Sequence, residues 1–186
     1  MDNLTKKLLA KLKIRVDNFI PDSQYPHDPF IIIVLKEAIK AAKEGNFGIG
    51  AVLVGKNGKI IERGRNHVFN PYFRSDLHAE MDVMTKFEKY YKSIKNLKRF
   101  VLYTSLEPCP MCLARLICSG IKKVYYAAPD REGGMVHKLK SLPSIWVKLA
   151  AKRKFIPAQC SPELRNIAFQ IFLTTADENN KKLQNR

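Results

Sequence analysis

The chain has 186 residues, 46% of them hydrophobic and 10% aromatic, which is enough apolar material for a folded core and excludes global disorder. Its longest uninterrupted apolar run, Phe30 to Leu35, is six residues, so we predict no membrane span, because a bilayer needs roughly 20. Lys and Arg number 33 against 17 Asp and Glu, a formal charge of +16. Such a field attracts polyanions such as RNA, but these charges are spread along the chain and a solvated lysine-rich surface accounts for them equally well.

The cysteine content and the charges among the first residues predict that the protein is located in the cytoplasm. Lys11, Lys13 and Arg15 interrupt any apolar segment that could serve as a secretory signal. The four cysteines are too few for a disulfide scaffold in a chain of this length. Two of them lie three residues apart, which favours a metal or redox site in a reducing compartment.

Two amphipathic helices are predicted first. The apolar residues Leu4, Leu8, Leu12 and Val16 recur at helical spacing among lysines, and we expect this stripe to cover the core. A second helix is predicted from Asp28, as its cap, to Gly45, because Pro29 suits the first helical position.

Strands and helices then alternate. Asn57-Gly58 between two apolar runs predicts an antiparallel hairpin of strands 49–54 and 59–64. The same patterns predict the following elements: a helix over 77–93 capped by Asp76, a strand over 100–106, a helix starting at Pro108 and a strand over 123–128.

The alternation predicts an α/β fold with three layers, α/β/α, around a mixed sheet of about five strands that includes the antiparallel hairpin. Beyond Gly134 we predict a helical stretch over 136–151, an extended segment over 155–158 and a helix from Ser161 toward Asp177. No repeat or linker divides the chain, so we expect a single domain over 1–186, with a catalytic core over about 28–135 and mainly helical elements over 136–186.

Chemistry is concentrated at the starts of two predicted helices. His78-Ala79-Glu80 opens one, and Pro108-Cys109-Pro110-Met111-Cys112 opens the other. A catalytic zinc needs three protein ligands and an open position for water, which His78, Cys109 and Cys112 supply. The positive end of a helix dipole lowers a thiol pKa and favours the metal-binding thiolate. Glu80 lies close enough to exchange protons with that water without being a ligand.

These residues resemble the signature of the zinc-dependent cytidine and deoxycytidylate deaminase superfamily. Over about residues 30–135 the chain is similar to the branch with guanine deaminases and tRNA adenosine deaminases. That similarity is carried by Gly50-Ala51-Val52-Leu53-Val54, Asn66, Leu106-Glu107-Pro108-Cys109 and the order of residues 127–133. The chain has Arg74-Ser75-Asp76-Leu77 where the purine branch usually reads Asp-Pro-Thr.

The resemblance implies a cytidine-deaminase-like fold, one zinc ion per chain and hydrolytic deamination of a nucleobase, nucleoside or nucleotide. Zinc activates the attacking water, Glu80 accepts and returns protons, and Asn66 holds the base or ribose. For Asn66, a buried turn-capping role is the alternative. Glu107 is left out of catalysis, because an acidic residue also suits a helix start.

The motif around Cys109 looks most like guanine deaminases, so we favour a free purine as substrate and keep adenosine in tRNA as the alternative. A thioredoxin-like thiol-disulfide oxidoreductase would use the Cys-Pro-Met-Cys segment but leave His78 and Glu80 without a role. A structural zinc module would need a fourth ligand, which no nearby second cysteine pair supplies. By analogy with related enzymes, we also expect a homodimer.

Overall fold

A computed structural model describes residues 2–94 and 96–186. Its centre is a five-stranded mixed sheet in the order β2-β1-β3-β4-β5. Strand β1 pairs antiparallel with β2 and with β3, whereas β3, β4 and β5 run parallel. The strands are β1 (Gly50–Val54), β2 (Ile60–Arg65), β3 (Val101–Leu106), β4 (Lys123–Ala128) and β5 (Lys154–Pro157).

Helices cover both faces of the sheet, which confirms the predicted three-layer α/β/α fold. The helices are α1 (Asn3–Asp17), α2 (Asp28–Lys43), α3 (Ala79–Tyr90), α4 (Pro110–Ser119), α5 (Ser144–Ala150) and α6 (Pro162–Gln184). Buried residues of α1, α2 and α6 form one apolar core with the sheet. Those of α3, α4 and α5 form a second core on the opposite face.

The predicted hairpin is present, and its turn shows why Asn-Gly is found there. Asn57 has φ 61° and Gly58 has φ 74°, which are conformations that Gly adopts freely and Asn tolerates better than most residues. Gly64 on β2 has a different role. A Cβ atom there would lie 2.6 Å from Val83 Cγ2 and 2.8 Å from the Ala79 carbonyl oxygen. The absence of a side chain at Gly64 lets α3 pack directly on the sheet.

Two predicted helix caps and one predicted helix start were wrong by one or two residues. The second helix is capped by His27 rather than Asp28, whose buried carboxylate accepts hydrogen bonds from Ser161 instead. The cap of α3 is His78 rather than Asp76, which forms an ion pair with Arg74. Helix α4 begins at Pro110 rather than Pro108, because Cys109 still has extended backbone angles.

The apolar stripe of α1 was predicted partly on the wrong face. Leu9, Leu12 and Val16 are the buried residues of α1. Leu4 is 78% exposed and Leu8 is 44% exposed. The spacing of Leu4 and Leu8 continues the helical period, but the core begins only one turn later, where α1 meets α2 and α6.

Between Gly134 and the predicted extended segment, the chain contains less α-helix than predicted. Residues 136–141 form 3₁₀ turns rather than the start of an α-helix, and α5 covers only the second half of the predicted stretch. Residues 154–157 pair with β4 as the edge strand of the sheet. Within the two described ranges, no helix is long and apolar enough to cross a membrane.

Candidate active site

The structure brings together the three residues predicted to bind zinc. His78 is the N-cap of α3, Cys109 is the N-cap of α4, and Cys112 lies in the first turn of α4. His78 Nδ1 is 3.5 Å from Cys109 Sγ and 3.6 Å from Cys112 Sγ. Among the described residues, this is the only group of three or more His, Cys, Asp and Glu side chains whose ligand atoms all lie within 4.8 Å of one another.

These distances fit a tetrahedral zinc ion. Zn–S bonds of about 2.3 Å and Zn–N bonds of about 2.0–2.1 Å place the S and N ligands of a tetrahedron roughly 3.6 Å apart. A set of one imidazole and two thiolates, with no fourth protein ligand in the group, leaves a coordination position for a water or substrate. The residues present therefore match a catalytic zinc site rather than a closed structural one.

The two thiols have opposite pKa shifts. The hydrogen bond with Cys112, joined by one with His78, lowers the pKa of Cys109 to about 4. The same contact between the sulfurs, together with burial, raises the pKa of Cys112. The pair thus shares a proton, which must be lost when a metal binds because the thiolate is the ligand.

Glu80 follows His78 by two residues, and its side chain points into the same site. The residue is only 4% exposed, and its Oε1 accepts a hydrogen bond of 3.1 Å from the Thr104 hydroxyl. Burial, with the nearby Cys109 sulfur, raises the pKa of Glu80. Glu80 is therefore a carboxyl group held in a fixed position, outside the ligand set, and able to carry a proton.

Asn66 lies just beyond the end of β2 and is completely buried. Its Oδ1 accepts a hydrogen bond of 3.0 Å from the Val68 N–H, which is the turn-capping role considered as an alternative. Its Nδ2 is buried without a hydrogen-bond partner in the protein. Since such a donor is costly to leave unpaired, Asn66 can cap its turn and also present an N–H group to a ligand.

Glu107 was not predicted as a site residue, but it braces the wall of the site. Its Oε2 accepts a hydrogen bond from Asp130 N–H at 3.1 Å, and its Oε1 lies 2.9 Å from His137 N and 2.8 Å from His137 Nδ1. Burial opposes the charge of Glu107, but these bonds outweigh burial and lower its pKa. No local sequence signal identifies this contact, because the partners lie 23 and 30 residues away.

These side chains surround a cavity of about 200 Å³. This volume is below the roughly 300–1,000 Å³ of pockets for drug-sized ligands, and it suits a single base more than a whole nucleotide. Besides the residues described above, its lining is apolar or comes from α6: Phe47, Ile49, Leu106, Phe172, Asn180 and Leu183.

The geometry also separates the alternative functions. A thiol-disulfide oxidoreductase does not account for an imidazole nitrogen within 3.6 Å of both sulfurs or for a buried carboxylate beside them. A structural zinc module lacks its fourth ligand among the described residues. Both arrangements are less consistent with the site than a catalytic zinc.

The profile of one protein family, described as "Cytidine and deoxycytidylate deaminase zinc-binding region", matches residues 25–128. This segment contains Asn66, Glu80 and all three predicted ligands. The predicted zinc cofactor is thereby confirmed, since a zinc-binding family profile covers the His, Cys and Cys group found in the structure.

Curated relatives include enzymes acting on tRNA and on guanine. The tRNA-specific adenosine deaminase of Bacillus subtilis is 42% identical over 108 residues, which is 58% of this chain and 65% of that protein. The enzyme with the same description from Aquifex aeolicus is 32% identical over 142 residues, or 76% of this chain and 92% of that protein. The guanine deaminase of Bacillus subtilis is 42% identical over 99 residues, covering 50% of this chain and 62% of that protein.

Solved structures share the fold. A structure from a study of A-to-I editing by tRNA:A34 deaminases has a TM-score of 0.64 and 27% identity, and covers 77% of this chain and 98% of that one. The guanine deaminase of Nitrosomonas europaea has a TM-score of 0.60, with 88% of this chain and 91% of that one covered. At 20% identity, the second likeness concerns the fold alone.

Replacing Cys112 by Ser should remove zinc and lower the melting temperature together, because a hydroxyl is a poor zinc ligand and metal binding stabilises the folded state. We expect zinc content, measured by elemental analysis after dialysis, to fall at least about tenfold. Cys118→Ser, at an exposed position of the same helix, is the matched control and should keep its metal. One zinc per chain in the Cys112→Ser protein would contradict the ligand set.

Replacing Glu107 by Ala should lower the free energy of unfolding by about 2 kcal/mol, because the N–H groups of Asp130 and His137 lose the buried carboxylate that accepts their hydrogen bonds. Chemical denaturation of the two proteins measures this difference. Glu132→Ala, at an exposed position of the same loop, should change stability by less than about 0.5 kcal/mol. Equal stability of the Glu107→Ala protein and its parent would show that the brace is unimportant.

Proposed function

The chain belongs to the cytidine and deoxycytidylate deaminase family of zinc-dependent hydrolases, and on that premise we propose that it deaminates adenosine in tRNA to inosine. The observation that carries the proposal is a His, Cys and Cys site beside a buried carboxylate, in a chain whose relatives include tRNA-specific adenosine deaminases. Alignment to one of those relatives extends over 76% of this chain and 92% of the relative, so the likeness reaches beyond the zinc motif.

Charge supports a polyanionic substrate. The formal charge of +16 favours association with RNA, since phosphate contacts release bound counterions. The cavity is large enough for a base and small for a nucleotide. We infer that one adenine base is turned out of the RNA and enters the cavity, while its sugar and phosphates stay outside.

Each site residue has a chemical task in this proposal. His78, Cys109 and Cys112 would hold the zinc ion, which would act as a Lewis acid that makes a water molecule nucleophilic at neutral pH. Asn66 donates its free Nδ2–H to the ring or the ribose and so orients the base. Thr104 fixes one oxygen of Glu80, which leaves the other to exchange protons.

Glu80 completes the proton balance. It accepts one proton from the attacking water and delivers it to ring nitrogen N1, so that C6 can bond to the water oxygen. The remaining proton of that water then reaches the exocyclic amine, and the C6–N6 bond breaks to release ammonia and leave the inosine carbonyl. Water is consumed and no oxidant is needed.

Free guanine is the second candidate. The sequence motif around Cys109 favours this substrate, and 42% identity over 99 residues to a guanine deaminase supports it. The cavity volume of about 200 Å³ also suits a small base. Adenosine in tRNA has the broader support as substrate, because the tRNA-specific adenosine deaminases align with longer segments of this chain.

Two further expectations belong to the proposal. We place the activity in the cytoplasm, where reducing conditions keep Cys109 and Cys112 as thiols and where tRNA is available. The homodimer expected by analogy stays a prediction, which sedimentation of the purified protein checks.

Replacing Glu80 by Gln keeps the shape of the side chain but removes the proton acceptor. We expect deaminase turnover to fall at least about 100-fold while zinc content stays unchanged. Ammonia release and elemental analysis give the two values. Glu88→Gln, at the solvent-facing end of the same helix, should keep both. Loss of zinc in the Glu80→Gln protein would instead identify the carboxylate as a ligand.

A substrate panel tests the proposed function directly. Ammonia release is measured with an anticodon stem-loop RNA carrying adenosine at the wobble position, and with free guanine, adenine, cytosine and their nucleosides. We expect the RNA to react, and its kcat/KM to fall at least about tenfold between 50 and 200 mM salt because phosphate contacts weaken. If guanine reacts at a rate that salt does not change, and the RNA does not react, the second candidate is favoured.

A further inference from the structure

One side of helix α6 packs against α2 and the sheet, and the opposite side carries a row of exposed side chains. Four exposed residues follow one another there at four-residue intervals: Arg165, Phe169, Leu173 and Asp177. Residues four apart on a helix form a continuous ridge, and we call this row the α6 ridge. It has two large apolar side chains at its middle, Phe169 at 38% and Leu173 at 51% exposure, and one charge at each end.

A groove runs along each side of the α6 ridge. The larger groove, of about 790 Å³, lies between the ridge and the loop at 129–133. The smaller groove, of about 620 Å³, lies between the ridge and α1, where Leu4 and Leu8 add exposed apolar surface. Side chains of one helix pack into the grooves of another, so a ridge between two grooves suits a second helix with the same surface. Adjoining exposed apolar side chains of this kind mark an interaction site.

The order of residues along the α6 ridge is self-complementary. Phe169 and Leu173 lie two positions on either side of residue 171, and Arg165 and Asp177 lie six positions on either side of it. A two-fold axis near residue 171 would therefore set the Arg165 of each copy opposite the Asp177 of the other, and Phe169 opposite Leu173. Within the two described ranges, neither Arg165 nor Asp177 forms an ion pair, so both charges can pair across such an axis.

The charge around the α6 ridge favours a protein partner over a nucleic acid. The whole chain has a formal charge of +16, but the two grooves are lined by more acidic than basic side chains. The acidic ones are Asp2, Asp130, Glu132, Asp177 and Glu178, and the basic ones are Arg131, Arg165 and Lys181. A locally acidic, apolar face disfavours phosphate groups. It also lessens the repulsion that two chains of this charge would have on contact, which fits a second copy as the partner.

We propose that the α6 ridge is the surface through which two copies of this chain associate, with their α6 helices antiparallel around a two-fold axis near residue 171. Both helices present ridges of residues four apart, and such ridges pack side by side at about −50°. Helices α1 and α6 lie outside residues 25–128, which the family profile matches. The surface thus belongs to parts of this chain that the zinc-binding signature does not include. Association through it does not depend on the substrate of the enzyme.

The charge order allows a test by exchange of charges. Arg165→Asp sets acidic residues opposite each other in the antiparallel dimer, and Asp177→Arg sets basic residues opposite each other. The double variant Arg165→Asp/Asp177→Arg restores both attractive pairs. Because each pair occurs twice in a two-fold interface, we expect each single variant to raise the Kd of self-association at least about tenfold. The double variant should return to within about threefold of the parent. Sedimentation of the zinc-loaded full chain without substrate measures these Kd values.

The apolar middle of the α6 ridge is tested by Leu173→Asn. Loss of a large apolar side chain from the centre of the contact should raise the Kd at least about tenfold. Ile145→Asn is the matched control, because Ile145 is 58% exposed on α5, on the other face of the sheet. It should leave the Kd unchanged. Thermal melting followed by circular dichroism checks that both variants fold, as expected for exposed positions.

A parent chain that stays monomeric up to about 100 μM would overturn the proposal. A dimer whose Kd changes neither in Leu173→Asn nor in the single charge variants would also overturn it, because that dimer uses another surface. A double charge variant as weak as the single ones would show that the two helices are not antiparallel.

RNA is the other partner that the measurements can reveal. If Arg165→Asp weakens binding of the stem-loop RNA and leaves self-association unchanged, the face binds phosphate and the dimer surface is wrongly assigned. Absence of tRNA deamination would reject the proposed substrate and change none of the sedimentation results. The failure of the dimer surface and the failure of the tRNA assignment are thus distinguishable.

Discussion

The starts of α3 and α4 meet beside the central sheet, and the rest of the site depends on this meeting. His78 and Cys109 are the N-caps of the two helices, and Cys112 follows one turn later. Helix N-termini carry partial positive charge and unpaired N–H groups, so they stabilise thiolate and carboxylate there. Two anionic sulfurs and an imidazole in this position form a site for a divalent cation, with ligands from two separate helices. Zinc chemistry is therefore a property of how two helices are placed.

Placement of the helices comes from features distributed over the sheet. Gly64 brings α3 close to β2, and Thr104 on β3 holds Glu80 from below. Glu107 stabilises the cavity wall beyond the metal site, because its carboxylate accepts hydrogen bonds from the N–H groups of Asp130 and His137. The cavity wall is thus tied to the segment after β3 that leads into the zinc ligands.

The parts predicted from sequence are those with local signals. His78, Glu80, Cys109 and Cys112 occur in two short motifs whose spacing fixes their geometry, and Asn57-Gly58 specifies its own turn. One cap was predicted a residue late and another two residues early, because Asp28 and Asp76 have the right chemistry for a cap but bind other partners, Ser161 and Arg74. The contacts of Glu107, and those of Lys182 and Arg186 with two phenylalanine rings, were not predicted, since they join distant segments and no periodicity in the sequence encodes them.

Helix α6 joins the core to the wall of the site, and its two ends are held in different ways. Upstream of Asn180 the helix is held by buried side chains and by the Thr175 contact with Gly48. Downstream it is held by exposed cations on two rings. Local stability follows the burial of apolar surface, so the last turns of α6 unfold at a lower free-energy cost than the core that supports His78 and the two cysteines. The part of the cavity wall formed by Asn180 and Leu183 therefore rests on weaker contacts than the zinc ligands do.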